Sequence, residues 1–350
     1  MSRFFSAEYS SLAPYVPGEQ PRDKKYVKLN TNESPFPPSP KVIEAVSEET
    51  DFRLYPDPEC RELKNALGAA LDVEPETVFV SNGSDSILSH AFAAFGGEGI
   101  AFADVTYGFD SVIAAYHGLK TRVIETEDDL SIDPEKFMGL GCAAVITEPN
   151  APTGLCVGVA AIEEIAKSSP DRVLIVDEAY VDFGAESSLR LAGRLDNVLV
   201  VRTFSKSRQL AGARVGFAVG SKELIRDLET LKFSTDPYCL TRQSLAAAKA
   251  AIEDKDYFER TRRAIMDERE RTRVQLLEAG FDCAPSMTNF LFAKHPGIPG
   301  GELYLGLKDR GVLVRHFTQP KISDYIRVTV GSRGDMDRFL TEVGALAAAR

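Results

Sequence analysis

Between residues 77 and 235 the chain alternates strand-like and helix-like stretches, and this alternation constrains the fold more than any other feature. Strand candidates lie at 78–80, 99–103, 143–147, 173–176, 198–201 and 215–219. Those at 143–147, 173–176 and 198–201 are nearly continuous in apolar residues, as strands covered on both faces must be. Helical spacing fills the intervals, as at 84–95 and 160–167. Strands alternating with helices predict an α/β fold, a mostly parallel central sheet sandwiched by helices.

After residue 235 the pattern changes. A long charged amphipathic stretch at 257–279 precedes a strand at 289–293, a helix at 302–310, short strands at 312–317 and 325–330, and a last helix from 336. The expected division is a large α/β domain over 41–235, with an N-terminal arm (1–40) and residues 236–350 forming a smaller α+β domain. A chain of 350 residues suits that arrangement. The proline-rich stretch from Asn32 to Pro40 cannot be regular structure and predicts an extended lead into a helix at 41–48.

Charge and composition exclude several classes of partner. A formal net charge of −11 and the absence of a Lys/Arg run give nucleic acids and anionic membranes nothing to hold. Any phosphate or carboxylate must be caught by individual arginines and helix ends. No apolar run approaches a membrane span and the N-terminus lacks a cleavage pattern, so a cytoplasmic protein is expected. Five scattered cysteines without a C-x-x-C pair predict neither a disulfide framework nor a metal site.

In open parallel sheets ligands gather at the carboxyl ends of the strands, and here those ends carry chemistry. Asp177 follows the run at 173–176, with Tyr180 three residues on. Glu148-Pro149-Asn150-Ala151-Pro152-Thr153-Gly154 follows 143–147, its prolines fixing Asn150 as a hydrogen-bond donor. Ser205 and Lys206 follow 198–201, and Arg214 comes eight positions later. Ser81-Asn82-Gly83-Ser84-Asp85 reads as strand end, glycine turn and helix start, whose free N–H groups suit a phosphate although the P-loop lysine is lacking. Each element alone also has an ordinary structural explanation: a turn aspartate, a capped helix, a solvated loop lysine. A lysine at the end of a buried strand is nonetheless costly unless compensated, and an amine so placed is a natural nucleophile for an aldehyde.

The ordered set resembles the fold type I pyridoxal-phosphate enzymes, within them the class I/II aminotransferases, and most closely their histidinol-phosphate aminotransferase branch. The resemblance runs from Leu29-Asn30-Thr31-Asn32-Glu33 through Leu54-Tyr55-Pro56-Asp57-Pro58, Asn82-Gly83-Ser84-Asp85, Pro149-Asn150-Ala151-Pro152-Thr153-Gly154, Asp177-Glu178-Ala179-Tyr180 and Thr203-Phe204-Ser205-Lys206 to Arg327-Val328-Thr329-Val330-Gly331. It implies pyridoxal 5'-phosphate as cofactor, with Lys206 forming the Schiff base and then moving the substrate proton. Asp177 would pair with the pyridine nitrogen. Asn150 and Tyr180 would hydrogen-bond the ring oxygen, and Tyr107 would stack on the ring. Gly83, Ser84, Ser205 and Arg214 would hold the phosphate, with Tyr55 reaching the phosphate of a neighbouring subunit in a homodimer. Arg327 and Arg315 would grip the substrate anion, with Tyr15 and Asn32 also on the substrate side.

The implied reaction converts histidinol phosphate and 2-oxoglutarate to imidazole-acetol phosphate and glutamate. An aromatic or broad-range aminotransferase, or a threonine-phosphate decarboxylase, are the alternatives on the same scaffold. Departures from the branch pattern at Glu148, at Ser207-Arg208-Gln209 and at Cys239 fall where a substrate could be read.

Overall fold

The computed structural model describes residues 2–349. A short strand, β1 (Val27–Lys28), is followed by helices α1 (Pro40–Glu48) and α2 (Arg61–Leu71). Proline at the first position of α1 and Ser39 Oγ accepting from the Val42 N–H start that helix where the proline-rich stretch ends. The alternating region contributes β2 (Val78–Ser81), α3 (Gly83–Phe95), β3 (Ile100–Ala103), α4 (Phe109–Tyr116), β4 (Thr121–Ile124), β5 (Ala143–Thr147), α5 (Val159–Ser168), β6 (Leu174–Asp177), α6 (Leu189–Ala192), β7 (Val198–Thr203) and β8 (Gly216–Val219). Then come α7 (Lys222–Thr235), α8 (Arg242–Glu253), α9 (Lys255–Glu278), β9 (Asp282–Cys283), β10 (Phe290–Lys294), α10 (Gly300–Asp309), β11 (Val312–Leu313), β12 (Arg315–His316), β13 (Tyr325–Thr329) and α11 (Arg333–Ala348).

The large sheet has seven strands in the order β2-β8-β7-β6-β5-β3-β4. Neighbours from β7 to β4 pair in parallel, and β8 alone runs against both of its neighbours. Strands β5 and β6 are buried at every position, and apolar clusters cover both faces of the sheet. The edge strand β4 was not expected from the sequence, because three of its four residues face solvent and carry no buried-strand signature.

A four-stranded antiparallel sheet, β12-β13-β10-β9, forms the second layer system, with its own core against α10 and α11. The stretch 312–317 is not one strand, contrary to expectation. Its first part, β11, pairs in parallel with β1, and after buried Val314 the chain joins β13 as β12. A run buried on both sides gives no alternation from which a change of sheet could be read. Helix α8 packs on α1 and α2 within the core of the large sheet. Among the described residues no helix is long and apolar enough to cross a membrane.

Candidate active site

The reversed strand β8 explains how distant motifs meet. Gly216 pairs with Ser81 at the end of β2 and with Thr203 at the end of β7. Arg214, two residues earlier, therefore returns to the sheet edge where α3 begins and where Ser205 and Lys206 emerge. A Cβ on Gly216 would lie 2.6 Å from both Gly83 C and Ser84 N, so only glycine lets β8 pass the start of α3. Gly83 and Ser84 open α3, and Asn82 supplies no side-chain cap, leaving helix N–H groups free for an anion. Arg214, in the left-handed conformation (φ 54°), brings its guanidinium to 2.7 Å from where a Cβ on Gly83 would stand.

Asp85, in the first turn of α3, takes up both neighbouring donors in this arrangement. Its Oδ1 accepts from the Tyr107 hydroxyl at 2.9 Å and its Oδ2 lies 3.3 Å from Arg214. Burial, followed by the charge of Asp85, holds the Tyr107 phenol well above its ordinary range. Ser205 is buried, and Thr203 Oγ1 both donates to its hydroxyl at 3.0 Å and accepts from its N–H at 3.1 Å. The Lys206 ammonium lies 5.7 Å from the centre of the Tyr180 ring.

Asp177 ends β6, 3% exposed, and its Oδ1 accepts from the Ala179 N–H at 3.1 Å. Burial pushes its carboxyl up to about 7, with the charge of Asp85 adding and the Ala179 N–H and Lys206 opposing. A cationic ring nitrogen fits such a carboxyl, because it places an opposite charge directly against a buried group held by the Ala179 N–H. The Tyr180 hydroxyl accepts from Asn32 Nδ2 at 2.9 Å. Asn32 (φ 57°) is itself held by Thr329 and Asn289, so its contacts are to the protein around Tyr180.

Asn150 differs from expectation in detail. Its Nδ2 donates to the Val105 carbonyl at 2.9 Å and to Thr153 Oγ1 at 3.1 Å, leaving Oδ1 as the buried atom without a partner. A ring hydroxyl that keeps its proton fits this amide directly. A deprotonated ring oxygen fits once the N–H now on Thr153 is released.

The two expected arginines lie on the second sheet. Register places Arg315 of β12 directly opposite Arg327 of β13. Arg327 donates to the Asn30 carbonyl at 3.2 Å, its Nε is buried without a partner, and burial lowers its basicity. The phenols of Tyr180, Tyr15 and Tyr107 act electrostatically on the same guanidinium. Arg315 donates to the carbonyls of Val16 (3.2 Å) and Pro17 (3.4 Å) in the N-terminal arm, and Tyr15 of that arm leans edge-on to Phe109 at 5.3 Å. Like charges opposite each other are unfavourable unless an anion lies between them.

Tyr55 is the most exposed of the expected set, at 77%, and stacks on Tyr238 at 4.4 Å. The three departures expected to read a substrate do other work. Glu148 is 1% exposed and accepts from the N–H groups of Val157 and Gly158, so it braces the turn after β5. The Arg208 guanidinium covers the Phe258 ring at 3.5 Å and donates to the Ala251 carbonyl. Cys239 Sγ faces Ser81 Oγ at 3.7 Å. All three point into packing contacts that motif comparison cannot foresee.

Sequence reasoning overlooked Asp85 as a site residue, since an aspartate in a first helical turn looks like ordinary dipole compensation. It also overlooked Asp110 in α4, which is 1% exposed with neither carboxyl oxygen partnered. Burial and the charges of Asp177 and Asp85 hold that carboxyl well above its usual range. Nothing in Phe109-Asp110-Ser111 marks it.

Comparison with known proteins bears on the family and the fold. Residues 24–343 match the family aminotransferase class I and II. The chain is 48% identical to the histidinol-phosphate aminotransferase of Marinomonas sp. (strain MWYL1), over 96% of this chain and 97% of that one. It is 44% identical to the histidinol-phosphate aminotransferase of Brachyspira hyodysenteriae, over 98% of each. The fold matches the crystal structure of histidinol-phosphate aminotransferase from Sinorhizobium meliloti in complex with pyridoxal-5'-phosphate, with a TM-score of 0.90, 24% identity and coverage of 100% of this chain and 99% of that one. It also matches the aspartate aminotransferase of Thermotoga maritima, with a TM-score of 0.82, 21% identity and coverage of 93% and 92%. The family match over most of the chain and the relatives sharing nearly half of its residues establish that the chain belongs to the class I and II aminotransferases, enzymes dependent on pyridoxal phosphate.

Proposed function

We propose that this aminotransferase moves an amino group between histidinol phosphate and 2-oxoglutarate. The observation that carries the proposal is the pair Arg315 and Arg327, opposite in register and, among the described residues, without a carboxylate partner, beside the Tyr180 and Tyr15 rings. Both substrates are anions, and a guanidinium pair suits phosphate and carboxylate alike. The curated relatives bearing the histidinol-phosphate name support the choice of donor.

The cofactor would be held at its phosphate by Gly83, Ser84, Ser205 and Arg214, at its ring by Asp177, Asn150, Tyr180 and Tyr107, and at its aldehyde by Lys206. Bound there, it supplies an electrophilic carbon and an electron sink. Lys206 Nζ would take the proton from the substrate Cα and return it two bonds away, across the amino nitrogen, to the carbon that the cofactor contributes. Asp177, as a carboxylate, keeps a proton on the pyridine nitrogen. Tyr180 orients its hydroxyl on the ring oxygen, with Asn32 as its support. Arg315 and Arg327 hold the distal anion and thereby the Cα–H bond toward Lys206.

The arrangement extends to a cytoplasmic homodimer in which Tyr55 reaches the phosphate site of a second copy. Within the chain, the large unit starts near residue 41, and the packing of α8 argues for ending it at the α8–α9 junction rather than at 235. The arm and the remaining C-terminal residues form the smaller unit.

The test is to add histidinol phosphate and glutamate separately to protein carrying the aldehyde form of the cofactor. Conversion of its visible absorbance to that of the pyridoxamine form by both is the expected result. Conversion by glutamate alone would overturn the proposed donor, and carbon dioxide release would point to a decarboxylase.

A further inference from the structure

The hairpin that carries both arginines is docked at its tip onto the large sheet. Between β12 and β13 the chain makes a short turn at Pro320–Ile322. Lys321 Nζ lies 3.1 Å from Asp104 Oδ2 and donates to the Thr126 carbonyl at 2.5 Å, while Gln319 Nε2 donates to the Asp104 carbonyl at 3.1 Å. Asp104 follows β3 and Thr126 follows β4, so the tip touches two strand ends. The other carboxylate oxygen of Asp104 accepts from the N–H groups of Val105 and Thr126 and from the Thr126 hydroxyl, all at 2.8–2.9 Å. These bonds and Lys321 keep the Asp104 carboxyl below its ordinary range despite burial.

Beneath this contact lies an apolar cluster shared by both sheets. Val105 and Leu130 of the large unit meet Phe292 and Ile322 of the other, with Phe317 and Tyr325 against them. Phe317 lies under both functional arginines, 5.9 Å from the Arg315 guanidinium carbon and 5.8 Å from that of Arg327. On the opposite side, the Val105 carbonyl receives Asn150 Nδ2. Packed side chains and hydrogen bonds thus run without a gap from the arginine pair to the ring-binding residues.

We propose that Asp104 and Lys321 are positioning residues: their contact holds the β12–β13 hairpin, and with it Arg315 and Arg327, at the spacing from the cofactor site that the substrate anion requires. This rests on the functional reading above, in which the two arginines hold that anion. The pair is partly exposed, Lys321 by 29% and Asp104 by 18% of the side chain, so its share of global stability is small. Its effect is geometric, and displacement of a binding group by about 1 Å is costly to an oriented reaction.

Two variants isolate the contact. Asp104→Asn keeps an oxygen for Val105 and Thr126 but removes the charge facing Lys321, and Lys321→Met keeps the stem and removes the ammonium. Each is expected to raise KM for histidinol phosphate and for 2-oxoglutarate about 3- to 30-fold. Calorimetry with 2-oxoglutarate and the pyridoxamine-form enzyme should show the same weakening, with cofactor content and melting temperature near wild type. The double variant should be no worse than the worse single one, because the Asp104–Lys321 contact is already lost in each. Wild-type KM and Kd in both variants, a lowered melting temperature alone, or fully additive losses would overturn the proposal. A wild-type enzyme that converts neither substrate would overturn the functional reading instead, and the positioning role with it.

Discussion

At the residue scale burial acts strongly on the ionisable groups Asp177 and Asp110. Asp177 has its folded pKa, about 7, above the ordinary value of 3.8, so between those values the folded cofactor-free chain binds a proton that the unfolded chain has released. Stability from this group is therefore fully present below about pH 4 and lost as pH rises through 7, at up to about 1.4 kcal/mol per pH unit. Burial raises the Asp110 carboxyl as well, so it contributes a loss of the same sign. Urea titrations of cofactor-free protein from pH 4 to 8 should show this decline, and Asp177→Asn should flatten it below pH 7; an unchanged slope would count against the burial argument. Lys206→Ala is expected to slow transamination by at least about 10²–10⁴-fold through the lost proton transfer, with the fold intact by circular dichroism. The residue types at the strand ends were legible because each follows an apolar run. Which atom of Asn150 is free, and that Glu148 braces a turn, were not, since both depend on neighbours distant in sequence or on side-chain direction.

At the element scale, β8 and the β12–β13 hairpin do the positioning. Gly216→Ala forces a methyl group onto the backbone of Gly83 and Ser84, and overpacking of this kind costs about 1–3 kcal/mol. The displaced helix start should also weaken cofactor binding, so the melting temperature and the pyridoxal phosphate Kd should worsen together. In the hairpin, Arg315→Gln removes a like charge opposite Arg327. Cofactor-free protein should keep or slightly raise its melting temperature, while KM for histidinol phosphate rises about 10- to 100-fold for loss of a charged hydrogen bond. A variant that loses stability and keeps KM would show that Arg315 serves structure alone. Strand and helix positions in the alternating region were readable from periodicity. The change of sheet at Val314 was not, because Val312, Leu313 and Val314 are all buried and show no alternation that would mark it.

At the scale of the whole molecule, aromatic surface is left uncovered. Phe52 and Tyr55 are each 77% exposed, and Tyr238, against which Tyr55 stacks, is 45% exposed. Such a patch suits contact with a second copy. Sedimentation should give a dimer, and Tyr55→Phe should weaken pyridoxal phosphate binding about 2- to 10-fold, the worth of one hydrogen bond. A monomer with unchanged cofactor affinity would refute the shared site.

The sequence by itself determined the parallel sheet and the chemistry at its carboxyl edge. Burial on both faces demands continuous apolar runs, and a chain leaving such a strand exposes its next residues at the same edge. Tertiary structure alone decided that Arg214 returns through a reversed strand, that Arg315 stands opposite Arg327, and that Lys321 reaches Asp104. Those meetings, between residues up to 217 positions apart, follow from strand order, register and the docking of one sheet on the other, which leave no periodic trace in the chain.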